Sequence, residues 1–130
     1  MIVDSHVHFW DARHTPQPWM TEEHAAIARP FGPDDLKPLI GRQRVDAVIA
    51  VQGACLDSDT DYLFAEADQH GWIAAVTAWV CLEQPDRASE RLHQLAGHAK
   101  FRAVRHLIHN EPDHWLIRGD VTESLSGRTG

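Results

Sequence analysis

Three runs in this sequence are apolar almost end to end: residues 46–52, 72–80 and 101–108. A strand with one wet face alternates polar and apolar residues, so runs that do not alternate belong in a sheet covered on both faces, usually a parallel one. Helix signals lie between them. Residues 60–70 follow the capping candidates Asp59 and Thr60 and end at Gly71, where a left-handed stop is expected. Residues 88–96 follow Pro85 and Asp86 and stop at Gly97, and a shorter segment opens at Gly32 and Pro33 and ends near Gly41. Residues 14–33 carry four prolines together with Trp19 and Met20, which reads as a long ordered loop with one turn of helix.

A fourth strand opens the chain. Over residues 2–10, Val3, Ser5, Val7 and Phe9 face one way, and Asp4, His6, His8 and Trp10 the other. Strands and helices therefore alternate at roughly 30 residues per unit, which predicts right-handed crossovers and one parallel sheet in the order 1-2-3-4. A closed (β/α)8 barrel needs eight such units. The expected fold is thus α/β, half of a TIM-type barrel, with a small open α/β sheet as the competitor. Residues 1–121 are read as this half-barrel and 122–130 as a tail, undocked and mobile from Asp120 onward, because no fifth strand follows to bury a helix there.

Charge narrows the partners. Nineteen acidic against twelve basic residues give a net charge of -7 with no Lys/Arg cluster, which argues against nucleic acid and anionic membranes. No membrane-length apolar run and no secretory start are visible, so a cytoplasmic protein is expected. Cys55 and Cys81 read as small buried hydrophobes. The unusual counts are ten histidines and five tryptophans, and histidine is both a common metal ligand and the acid/base that works near neutral pH.

His6 and His8, two apart on a strand, share a face and can converge on one ion or one substrate oxygen. With so many histidines the bare spacing says little, so the weight rests on their place at the end of the first strand. Core histidines are the alternative. On the fourth strand Arg105 and His106 face opposite sides, so at most one points inward; an arginine at a strand's C-terminal end suits a carbonyl or carboxylate by charge-assisted hydrogen bonding, and the alternative for either is to pack as an ordinary polar residue. Gln52 ends the second strand, where barrel enzymes place site residues. Trp10, Trp19 and Trp79 could form an apolar wall of a site or fill the core. Asp57, Asp59 and Asp61 have calcium-loop spacing but lack its Gly and terminal Glu, and read better as a helix N-terminus.

The segment Val3-Asp4-Ser5-His6-Val7-His8-Phe9-Trp10-Asp11 resembles the opening strand of amidohydrolase-related proteins, in the branch acting on sugar lactones. The resemblance continues through residues 35–39, 46–52, 73–82 and 101–106, with Asn110, Glu111 and Pro112 after them, and reaches about residue 121. It implies an amidohydrolase-type barrel that hydrolyses a cyclic ester, a small-molecule substrate, and His6 and His8 at the mouth of the site. It implies either a divalent metal such as zinc on those two histidines or metal-independent chemistry. His6 and His8 are the catalytic candidates, and Arg105, His106, Gln52 and Trp10 the substrate-binding ones. The general base is expected from a second half that residues 1–130 do not contain. Two alternatives stay open: a decarboxylase or hydratase of the same superfamily, and a truncated or frameshifted, catalytically silent chain that only self-associates through its open sheet edges.

Overall fold

The computed structural model describes residues 1–127. Its strands are β1 (Val3–Val7), β2 (Ala47–Val51), β3 (Ile73–Ala78) and β4 (Phe101–Val104). Four α-helices accompany them: α1 (Pro33–Gln43), α2 (Asp57–Gln69), α3 (Pro85–Ala96) and α4 (Gly119–Ser126). Short 3-10 helices occupy Glu22–Ile27, Ile108–Asn110 and Trp115–Ile117. The sheet runs β1-β2-β3-β4 and every pair is parallel, as the alternation of runs and helices predicts.

An order without reversal, joined by right-handed crossovers, puts the helices on one face of the sheet. There Val48, Ala50, Val76 and Ala78 pack under Ile40 of α1, Leu63, Phe64 and Ala67 of α2, and Ala88 and Leu95 of α3. Val7 and Phe9 join this core, so His6 and His8 turn to the opposite face. The strand ends earlier than its alternation suggests. Trp10 instead makes an isolated antiparallel bridge with Phe31, Trp10 N–H donating to Phe31 O at 3.1 Å and Phe31 N–H to Trp10 O at 2.9 Å. This closes the long loop at both ends.

Helix ends depart from the sequence expectation where tertiary contacts outbid local signals. Helix α1 runs past Gly41 and ends on Arg44 in the left-handed region (φ 56), because its last turn carries Ile40 into the core. Helix α2 begins before Asp59 and Thr60, which are fully buried clamps rather than caps. Thr60 Oγ1 donates to Trp79 O at 3.1 Å and receives Trp79 N–H at 2.9 Å. Gly71 is not left-handed: α2 stops on the extended His70 and the chain enters β3 at once.

The undocked tail is corrected outright. Helix α4 lies on α3 and on the Trp115 turn, with Val121 and Trp115 in the core and Ser124 Oγ donating to Leu82 O at 2.8 Å. The docking surface comes from α3 and the turns after β4, not from a fifth strand, and residues 128–130 lie outside the described part. Cys55 and Cys81 are free and half-buried. Among the described residues, no helix is long and apolar enough to cross a membrane.

Candidate active site

His8 sits just past β1, on the face away from the helices. Its Nδ1 lies 2.8 Å from Val51 O. A carbonyl only accepts, so Nδ1 carries the hydrogen and Nε2 keeps its lone pair. That Nε2 meets Nε2 of His6 at 3.1 Å, the rings edge to face. Burial pulls the His8 pKa below its ordinary value, helped by the charges of His6 and Arg105 and opposed by the Val51 hydrogen bond and by Asp59. His8 is therefore a neutral imidazole near pH 7.

His8 opens onto a cleft of about 450 Å3, walled by Trp10, Trp19 and Leu107 and bearing Arg105, His24, His109 and Asn110. Gly53 forms its floor beside His8. Trp10 and Trp19 meet edge to face at 6.1 Å, and the Trp10 indole N–H is held by Ile27 O and Arg29 O at 3.1 and 3.0 Å. No carboxylate lines this cleft among the described residues.

Arg105 extends from the end of β4. Its Nη1–H donates to Gln52 O at 2.8 Å, and Gln52 Nε2–H returns a bond to Arg105 O at 3.1 Å. Gln52 is fully buried, so it sets the arginine's position without reaching the cleft. Most of the guanidinium's five donors remain for a ligand.

His106 points the other way. Trp79 Nε1–H donates to its Nδ1 at 3.2 Å, its Nε2 faces Glu111 Oε1 at 2.7 Å, and its ring stacks on Trp115 at 4.1 Å. These contacts fix the loop after β4. Trp79 is buried in the same group and leaves only Trp10 and Trp19 as a wall. Asp4 accepts His6 N–H at 3.1 Å, and Asp11, salt-bridged to Arg13, has its pKa drawn down to about 2.

The sequence reading missed Asp59 and Gln17. Asp59 Oδ2 accepts Gly53 N–H at 2.9 Å and Ala54 N–H at 3.2 Å, while Oδ1 accepts Gln17 Nε2–H at 3.1 Å. Gln17 Oε1 in turn accepts the Trp19 indole N–H at 2.9 Å. One buried carboxylate thus holds both the floor and a wall of the cleft. Its local signal, an Asp at a helix start, is indistinguishable from that of a cap.

As metal ligands, the two Nε2 atoms at 3.1 Å are near the separation of about 3.3 Å that two nitrogens adopt on one tetrahedral zinc. The pair fits two positions of such a site. No third His, Cys, Asp or Glu joins them among the described residues.

A sequence model of the amidohydrolase family matches residues 3–122. The L-fucono-1,5-lactonase of Burkholderia ambifaria is 35% identical over 121 residues, 93% of this chain and 41% of that protein. Its counterpart from Burkholderia multivorans is 38% identical over 111 residues, 85% of this chain and 37% of that protein. The chain thus spans about two fifths of these relatives' length. A crystal structure of a Burkholderia multivorans amidohydrolase with bound zinc superposes with a TM-score of 0.87 at 33% identity, covering 97% of this chain and 44% of that one. A second crystal form of that kind, with bound HEPES, gives the same values.

Proposed function

The chain belongs to the amidohydrolase family, and from that premise we propose that its cleft serves the opening of a sugar-derived lactone by water. The observation that carries this reading is the pairing of His8, its Nε2 lone pair against His6, with an arginine that has no acidic partner in the same cleft. The relatives that match over most of the chain are L-fucono-1,5-lactonases, which supports a lactone of that kind as the substrate class.

The chemistry follows from the charges that develop. Water oxygen adds to the lactone carbonyl, the ring C–O bond breaks, the ring oxygen takes a proton, and a hydroxy acid leaves as its carboxylate. Arg105 offers free N–H donors to the carbonyl oxygen as it gains charge and to the carboxylate afterwards. Trp10 and Trp19 present apolar faces to the sugar ring and exclude water from one side. His6 and His8 would hold a divalent metal such as zinc, which supplies carbonyl polarisation and acidifies water. No carboxylate stands among the described cleft residues to take the proton from water. Free cysteines accord with a reducing, cytoplasmic setting for this activity.

The test is acid release from L-fucono-1,5-lactone, with and without zinc, by residues 1–130 alone and joined to the remaining portion of the Burkholderia multivorans relative. Hydrolysis above the spontaneous rate is expected in the joined protein, with a loss of about 100-fold or more on His8→Ala. No acceleration in either form would exclude the reading.

A further inference from the structure

Resting on the lactone reading, we propose that His24 is a substrate-binding residue of the cleft: its Nε2–H donates to a hydroxyl oxygen at C3 or C4, on the side of the sugar ring away from the reacting carbonyl, and selects the lactone by that hydroxyl. The contacts that set its position lie within the loop after β1.

The ring's tautomer follows from its partners. In the 3-10 helix Glu22–Ile27, residues Glu22, Glu23, Ala25 and Ala26 are exposed while His24 and Ile27 are half-buried, so the helix presents one polar side chain to the cleft. His24 Nδ1 accepts the Thr21 backbone N–H at 3.2 Å and stands 3.1 Å from Thr21 Oγ1. A backbone amide only donates, so Nδ1 keeps its lone pair and the hydrogen of the neutral ring sits on Nε2. With the Nδ1 edge turned back onto Thr21, the Nε2 edge is left to the cleft. His8 has the opposite tautomer, its hydrogen on Nδ1. One cleft thus holds two imidazoles fixed for opposite tasks, a lone pair beside His6 and a donor at the wall.

Its place in the wall decides which side of the ligand it meets. The His24 ring stands edge to face on Trp19 at 5.4 Å, and Trp19 edge to face on Trp10 at 6.1 Å. Trp10 ties the short helix down in return, its indole N–H donating to Ile27 O at 3.1 Å, and Trp19 is held by Gln17 Oε1 at 2.9 Å. The order along the wall is His8, Trp10, Trp19, His24. A sugar ring lying on the two indoles with its carbonyl at His8 and Arg105 therefore turns its opposite side to His24. A hydroxyl oxygen there has the lone pair that Nε2–H needs. A donor already bonded into its own turn loses little freedom on binding, and one such neutral hydrogen bond contributes about tenfold in affinity.

The probe is L-fucono-1,5-lactam, a cyclic amide that keeps the ring hydroxyls and resists hydrolysis, together with its 3-deoxy and 4-deoxy analogues. Titrated into residues 1–130 and followed by tryptophan fluorescence, one deoxy analogue should bind about tenfold more weakly than the lactam. In His24→Leu that preference should fall to within about twofold, whereas His24→Gln, whose carbonyl can accept Thr21 N–H and whose NH2 can donate to the ligand, should keep most of it. In the chain labelled with 15N-histidine, the His24 ring should show the Nε2-protonated form and a shift at Nε2 on adding the lactam, absent with the weaker analogue. An undiminished preference in His24→Leu, equal binding of the three lactams, no binding at all, or an Nδ1-protonated ring each overturns the proposal. Loss of the preference in the joined protein overturns it as well. Acid release by the joined protein with a preference that ignores His24→Leu removes this inference alone, while a His24-dependent preference without acid release removes the hydrolytic reading and leaves the binding residue.

Discussion

His8 donates its Nδ1–H to Val51 O at 2.8 Å, tying the residue just past β1 to the last residue of β2. The bond fixes the tautomer, and burial then keeps the ring neutral. Stability follows with a definite sign. Above the ordinary histidine value of 6.5 His8 is uncharged in both the folded and unfolded chain and contributes no pH dependence. Below it the unfolded chain takes the proton first, so stability falls as pH drops. Urea unfolding of the wild type and His8→Gln at pH 7 and pH 5 should show that the variant loses less stability on acidification. Equal losses in both would refute the assignment.

The proposed metal site draws on the same pair. Two histidines make a weak zinc site, so calorimetric titration of the isolated chain should give an affinity weaker than about 1 μM, abolished by His8→Ala. Burial lowers the His8 pKa, so protons compete poorly for that one ligand. Sub-micromolar affinity would mean that a third ligand had been overlooked.

Arg105 and His106 are neighbours that face opposite ways, one lining the cleft and the other packed on Trp115. Arg105→Met should weaken binding of an aldonate carboxylate by about tenfold or more while leaving stability near wild type. His106→Ala breaks a stack on Trp115 and the bonds to Trp79 and Glu111, and should cost about 2 kcal/mol of stability with a smaller effect on ligand affinity than Arg105→Met. Tryptophan fluorescence titration and urea denaturation of both variants separate the two outcomes, and a reversed pattern would exchange the roles.

The strands and their order were readable because continuous apolar runs have few alternatives to a parallel sheet, and the residues of the His6–His8 pair share a face by spacing alone. Parity also separated Arg105 from His106, but not which of them faced the cleft; only the stack on Trp115 decides that. Helix ends were less legible. Asp59 and Thr60 look like caps, yet their partners Gln17 and Trp79 lie 42 and 19 residues away, beyond any local pattern. Arg44 adopts the left-handed conformation although Gly41 was available three residues earlier, because Ile40 must reach the core. The docking of α4 depends on a surface assembled from α3 and Trp115, which exists only after folding.

That docking has a measurable cost of removal. Val121 is fully buried against the core, so Val121→Ala should destabilise the chain by about 2 kcal/mol. Leu125, 59% exposed on the same helix, should tolerate alanine with little change. Hydrogen exchange should show protected amides in α4 of the wild type. Free exchange there, or equal effects of the two substitutions, would mean that the helix is not held.

Asp59 offers the sharpest test of how the cleft is supported. Its two oxygens meet only donors: Gly53 and Ala54 N–H on one, the Gln17 amide on the other. In Asp59→Asn one oxygen becomes an NH2, which must face a donor. If it faces Gln17, that amide can turn over to accept from it, but then presents its own NH2 to the Trp19 indole N–H that Oε1 had accepted. The mismatch moves along the chain without disappearing, and each unsatisfied buried donor costs about 1–3 kcal/mol. The variant should therefore lose about 2 kcal/mol by urea unfolding and shift the tryptophan emission spectrum, as the Trp19 indole gives up its partner in the cleft wall. In Trp19→Phe, where that indole is absent, Asp59→Asn should leave emission nearly unchanged. An undiminished spectral shift in the double variant would show that Asp59 acts on the cleft by some route other than Gln17 and Trp19.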